Sequence, residues 1–123
     1  MGKFIIKKIG DEVKFDLITG SGEIIAASSV YDSVESCRHS IELIRENASM
    51  AAVEDHTDEQ YIPREHPKFD LYRDKAGDYR FRLKISGGEV VAVSLGYPDL
   101  TDCLRIIETI QNSAADAEIV EEL

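Results

Sequence analysis

Cys37 and Cys103, Glu42 and Glu108, and Tyr31 and Tyr97 are the side chains whose type and spacing invite a chemical reading, because each pair recurs at one constant interval of 66 residues. A thiolate is a nucleophile and a metal ligand, but both cysteines fall on apolar helical stripes, where burial raises a thiol's pKa and suppresses its reactivity. They read as small core residues, and neither belongs to a CxxC pair. Paired carboxylates can split their pKa values and perform acid–base chemistry. Glu42 and Glu108 would meet only if a two-fold axis ran between their helices. The competing reading puts both on a solvated face, with Glu42 one helical turn from Arg38. Tyr31 and Tyr97 either line such an axial site or pack at the corner between strand and helix.

His56 and His66 lie among Asp55, Asp58, Glu59 and Glu65, yet no two histidines share a helical turn, and the place of His39 is taken by Arg105 in the second copy. The segment reads as a charged linker, so no metal and no cofactor is expected. The glycines at Gly20–Gly22 and Gly87–Gly88 join strand to strand, which makes them hairpin turns and not phosphate loops. With no nucleophile–base pair in view, binding is favoured over catalysis and no catalytic residue is assigned. A different pattern is richer. Tyr72, Arg80, Arg82 and Lys84, with Lys14 in the first copy, alternate with apolar residues and so share one sheet face. The same alternation carries Ile25, Val91, Val93 and Leu95 to that side, beside the basic strip. An apolar and aromatic patch ringed by arginine suits a protein or ligand contact. The alternatives are that exchanged strands, the linker or self-association cover the face, or that the alternation breaks in the third strand.

The elements that must position these residues are bounded by composition. A chain of 123 residues with 43% apolar content has room for one compact domain. Fourteen Lys and Arg against 24 Asp and Glu leave a formal charge of −10, which repels nucleic-acid phosphates and anionic lipid. Nucleic-acid binding through Arg80 and Arg82 is therefore disfavoured, and a salt-adapted source is a second explanation of the acidity. The opening "MGKFIIKK" lacks a long apolar segment, so a cytoplasmic location without membrane contact is expected.

The chain says nearly everything twice. "GEIIAASSVYDSVESC" at Gly22–Cys37 returns as "GEVVAVSLGYPDLTDC" at Gly88–Cys103, and the same offset aligns Phe15 with Phe81, Leu17 with Leu83, Ile41 with Ile107 and Ala48 with Ala114. Upstream the offset drops to 65, matching Lys3–Phe4 to Lys68–Phe69, so one residue is inserted at a hairpin tip of the second copy. The division is a first repeat over 1–55, a proline-bearing linker over 56–67 and a second repeat over 68–123. Each repeat alternates through three strands and then changes period. Leu100, Cys103, Ile107, Ile110 and Ala114 follow helical steps, as do Val34, Cys37, Ile41, Ile44 and Ala48. Asp32 with Glu35, and Asp99 with Asp102, are expected to cap the two helices. A short tail follows each helix, "MAAVED" and "DAEIVEEL", and either could form a fourth strand. A unit of about 55 residues is marginal alone, so the two copies are expected to share a core, as one antiparallel sheet with both helices on one side and an internal two-fold.

The run from Lys68 to Val120, with "YRDKAGDYRFRL", "GEVVA", Tyr97 and the "IE" of Ile107–Glu108, resembles the YegP-like family of tandem-repeat or homodimeric proteins of unknown function. The first copy departs from it at "KKIGDEVKFDL". The resemblance implies an α+β fold of duplicated β-β-β-α-β units that exchange their final strands, and it implies no activity. Two function classes follow. One is a non-enzymatic interaction module using Tyr72, Arg80, Arg82, Lys84, Val91 and Val93 to hold a protein partner or to self-associate, the monomer keeping its internal symmetry. The other is a small-molecule binder or enzyme at the axis, using Glu42, Glu108, Tyr31 and Tyr97.

Overall fold

In the computed structural model, which describes residues 2–123, the alternating stretches form β1 (Lys3–Ile9), β2 (Glu12–Ile18), β3 (Ile24–Ala27), β5 (Lys68–Arg73), β6 (Tyr79–Lys84) and β7 (Val90–Ser94). The stretches of helical period form α1 (Val34–Asn47) and α2 (Leu100–Ser113). The tails form β4 (Ala52–Asp55) and β8 (Glu118–Glu122). All eight strands join one sheet in the order β4-β5-β6-β7-β3-β2-β1-β8. The last strand of each repeat therefore lies beside the first strand of the other. No helix is long and apolar enough to cross a membrane among the described residues.

The sheet is mixed rather than antiparallel throughout. The six inner strands pair antiparallel, whereas β4 runs parallel to β5 and β8 parallel to β1. Hairpin turns impose antiparallel pairing, and the exchanged strands are not reached through hairpins. A parallel neighbour needs a connection of about a dozen residues, and 56–67 supplies one between β4 and β5.

Both helices cover the face that carries Phe4, Phe15, Phe69 and Phe81, each of them fully buried. The phenylalanines form one edge-to-face pair in each half, with ring centroids 5.7 Å and 5.5 Å apart. Cys37, Ile41 and Ile44 of α1 and Cys103, Ile107 and Ile110 of α2 complete a single core cluster. Burying each of these larger side chains contributes roughly 1.5–3 kcal/mol. The helix ends interlock across the pseudo-two-fold. Gln111 Nε2 donates to the Ala51 carbonyl at 2.8 Å, and Arg45 Nε to that of Ala115 at 3.4 Å.

Two expectations are corrected at this level. Ile25 and Val91 do not face away from the helices; they are 2% and 1% exposed and belong to the core. The cause is a β-bulge in each third strand. Leu17 pairs with Ala26 and Ile18 with Ile24, while Leu83 pairs with Ala92 and Lys84 with Val90, so Ile25 and Val91 are surplus residues that turn inward. The cap of α1 is Ser33 rather than Asp32, its Oγ accepting from the Ser36 amide at 3.1 Å. At α2, Asp99 holds the cap position without a side-chain bond. The one-residue insertion sits at the hairpin tip. Ile9 pairs directly with Glu12 in the first copy, whereas Asp74 N donates to Asp78 O at 2.8 Å around a three-residue tip in the second. Gly77 there takes a φ of 90° that other residues avoid.

Candidate functional site

The sheet face without helices is a lattice of charges. Cross-strand register sets Tyr72 opposite Arg80, Asp70 opposite Arg82 and Lys68 opposite Lys84, with Val93 opposite Arg82 on the other flank. Most of the basic strip is already engaged. Lys84 meets Asp70 at 2.7 Å, Lys68 meets Glu54 at 3.0 Å, and Arg80 reaches Asp74 at 2.6 Å and the Ser94 carbonyl at 3.2 Å. Arg82 differs. It is exposed, it has no ion pair among the described residues, and its guanidinium lies 4.2 Å from the centroid of the Tyr72 ring. Such stacking holds a guanidinium flat while leaving its edge donors free. Tyr72, Arg73, Asp74, Lys75, Arg80 and Arg82 line a shallow groove there. Val93 is half-buried beside it, and Val90 and Leu95 are exposed.

The repeats agree inside and differ outside. At the places of Tyr72, Arg80 and Arg82 the first copy has Lys7, Lys14 and Asp16. Asp16 is 5% exposed and is bonded to both lysines, Lys7 at 2.9 Å and Lys14. Burial alone would raise its carboxyl, but the Lys14 and Lys7 ammonium groups outweigh that and hold it below the ordinary value of 3.8. A carboxyl depressed in the folded state stabilises the fold above its unfolded pKa, and the contribution disappears as pH falls through the folded value. Asp16→Asn should cost about 1–2 kcal/mol at pH 7, less than a fully buried pair because the lysines reach solvent. Urea midpoints measured at pH 7 and below pH 3 check this. The gap between variant and wild type should shrink in acid, and a gap that stays constant would deny the ion pair its role.

The axial constellation does not assemble. Glu42 and Glu108 are both exposed; Glu42 pairs with Arg45 at 2.7 Å, and no hydrogen bond or ion pair joins the two carboxylates among the described residues. Arg38 turns instead to Glu121 of β8, at 2.6 Å. Tyr31 and Tyr97 sit at strand-to-helix corners, each bonded through its backbone to its own repeat, Tyr31 to Val13 and Tyr97 to Tyr79. Burial raises the phenols of both, that of Tyr97 to about 12, and the Tyr97 hydroxyl has no hydrogen-bond partner among the described residues. Cys37 and Cys103 are fully buried, and burial pushes both thiols up to about 11.

One grouping escapes the sequence reading. Glu54, His56 and Asp70 converge on the outer face beside Lys68. Hydrogen bonds from the Arg64 amide, Lys68 and His56 hold the Glu54 carboxyl down at about 2. Strand alternation puts Glu54 and His56 on one side, but Asp70 joins them only through the exchanged pairing of β4 with β5.

The comparisons agree with this geometry. The family model described as "Domain of unknown function (DUF1508)" matches residues 10–55 and again 74–121. A UPF0339 protein of Treponema denticola is 46% identical over 54 residues, which are 44% of this chain and 93% of that protein. The UPF0339 protein PA0329 of Pseudomonas aeruginosa is 25% identical over 121 residues, 98% of this chain and 96% of that protein. The solution structure of yegP from E. coli, a protein of unknown function, superposes with a TM-score of 0.77 at 20% identity, covering 98% of this chain and 92% of that one. UPF0339 protein SO3888 from Shewanella oneidensis does so with a TM-score of 0.80 at 18% identity, covering 98% and 90%. Two matched repeats, one eight-stranded sheet and exchanged final strands together make this chain a member of the DUF1508 (UPF0339) family, in its two-repeat form.

Proposed function

We propose that the protein is a non-enzymatic interaction module of the cytoplasm, whose outer sheet face in the half built by β4 to β7 docks a protein partner through a carboxylate. The observation that carries this reading is Arg82, stacked on Tyr72 with no acidic partner among the described residues, at the side of a groove where Arg73 and Lys75 add positive charge and Arg80 is held by Asp74. A planar guanidinium with free edge donors matches a carboxylate bidentately. Val93, with Val90 and Leu95 nearby in sequence, offers an apolar margin, so the contact need not rest on charge alone.

Divergence between the repeats supports a single asymmetric site. The first copy closes the matching positions with the Lys7–Asp16–Lys14 ion pairs, which leave no free guanidinium. Nucleic acid is a poorer fit, because the net charge of −10 opposes a polyanion and Lys68, Lys84 and Arg80 are already neutralised. The repeats and the linker over 56–67 act as one unit in this reading. The test is whether Arg82→Glu removes a partner that wild type retains at physiological salt, with Lys3→Glu, at an exposed position on the opposite half, as the control that should retain it.

A further inference from the structure

We infer that Glu54, His56 and Asp70 form a binding site for a first-row divalent cation of the zinc type. Glu54 and His56 stand two residues apart at the end of the exchanged strand β4, and Asp70 pairs with Glu54 from β5. The His56 amide donates to the Leu71 carbonyl at 2.8 Å, which continues the ladder and fixes the histidine on the same face. One donor atom from each residue lies within 4.8 Å of the other two. His56 Nε2 is 2.5 Å from Glu54 Oε2 and 3.6 Å from Asp70 Oδ1. Tetrahedral zinc with bonds of about 2.0–2.2 Å sets its donors roughly 3.3–3.5 Å apart, so the His56–Asp70 separation already fits and the His56–Glu54 hydrogen bond opens to admit the ion.

The remaining oxygens are held in the manner of supporting groups. Glu54 Oε1 accepts from the Arg64 amide at 2.7 Å and from Lys68 at 3.0 Å, and Asp70 Oδ2 is taken by Lys84 at 2.7 Å. Such contacts orient the free oxygen of each carboxylate toward a common centre. Asp70 Oδ1 is the telling atom. It is buried in a side chain only 9% exposed, and it has no hydrogen-bond partner among the described residues. His56 and Lys68 approach it only to 3.6 Å, beyond hydrogen-bond reach, so a buried acceptor is left without a direct bond that a ligated cation would supply. The His56 side chain is 34% exposed, which leaves an open side for entry and for a water as fourth ligand. Lys68 lies 3.6 Å from Asp70 Oδ1 and opposes a cation there, so the affinity falls short of that of a structural zinc site.

The site belongs to one half only. The equivalents of Glu54, His56 and Asp70 are Val120, Glu122 and Ile5, which supply a single carboxylate and no imidazole. It also joins the two repeats, because the first contributes Glu54, the linker opens with His56 and the second repeat contributes Asp70.

The experiment is a calorimetric titration of the full chain with ZnCl2 at pH 7.5 in a non-chelating buffer, repeated with Co2+ for its visible spectrum. The expected result is one saturable site with a Kd below about 100 μM, weakened at least tenfold in His56→Ala and unchanged in His66→Ala. Co2+ should give the intense absorption of a four-coordinate site in wild type and lose it in His56→Ala. His56 is exposed, so its replacement leaves the fold intact, and circular dichroism checks that. Absence of saturable binding below about 100 μM, or equal binding by wild type and His56→Ala, overturns the assignment.

Discussion

Val91→Asp unfolds this protein, whereas Val93→Asp leaves it folded. The two valines are two residues apart on one strand, and simple alternation would give them the same fate. The bulge opposite Leu83 and Lys84 separates them: Val91 is 1% exposed among the core residues, and Val93 lies half-buried on the outer face opposite Arg82. An unpaired carboxylate at position 91 would cost more than about 4 kcal/mol, a large fraction of the stability of a small domain. At position 93 the carboxylate reaches water and faces a guanidinium across the strands, so the cost should stay within about 1 kcal/mol. Thermal and urea melts of the two variants check this. Equal losses at both positions would mean that the bulge does not set the orientation of the third strand.

The second large effect concerns the exchanged strands. An isolated second repeat, residues 68–123, should have no stable folded monomer; it should be unfolded when dilute and should form a homodimer when concentrated. Cut free, β5 loses its parallel partner β4, β8 has no β1 to join, and β7 loses β3. The core stripe of α2 also loses the Gln111 bond to Ala51 and the packing against the other repeat's helix end. A second identical copy restores each of these by closed two-fold pairing. The Treponema denticola relative, 93% of whose length is matched by 54 residues, has the length of a single repeat. Sedimentation equilibrium across concentrations reads the outcome, and a folded monomer of residues 68–123 would contradict the interlocked core.

Much of this fold is legible in the chain because its symmetry is a symmetry of the core. Phe15 and Phe81, Cys37 and Cys103, and Ala51 and Ala117 repeat, and the structure buries all six. The bulges escaped because an extra residue in a strand leaves no mark on a run such as "EVVAVSL", where Val90 to Val93 are apolar in both phases. The parallel direction of β4 and β8 escaped because strand direction is set by what the linker and chain ends permit, not by residue type. The outer face was legible as a row of side chains but not as a set of pairs. That Arg82 is free while Lys84, Lys68 and Arg80 are bound depends on Asp70, Glu54 and Asp74, none of which the sequence singles out. The convergence of Glu54, His56 and Asp70 was hidden for the same reason, since it exists only across the exchanged pairing.

The proposal that the Arg82 face holds a partner is tested most directly by capture from a lysate of the source organism at physiological salt. The bait would be wild type, Arg82→Glu/Val93→Asp or Lys3→Glu, each checked for folding first. The account predicts a protein retained by wild type and by Lys3→Glu and lost with the double variant. Once purified, that protein should bind wild type at least tenfold more tightly than the double variant. Capture that is the same for all three baits, or absent from all of them, would contradict it.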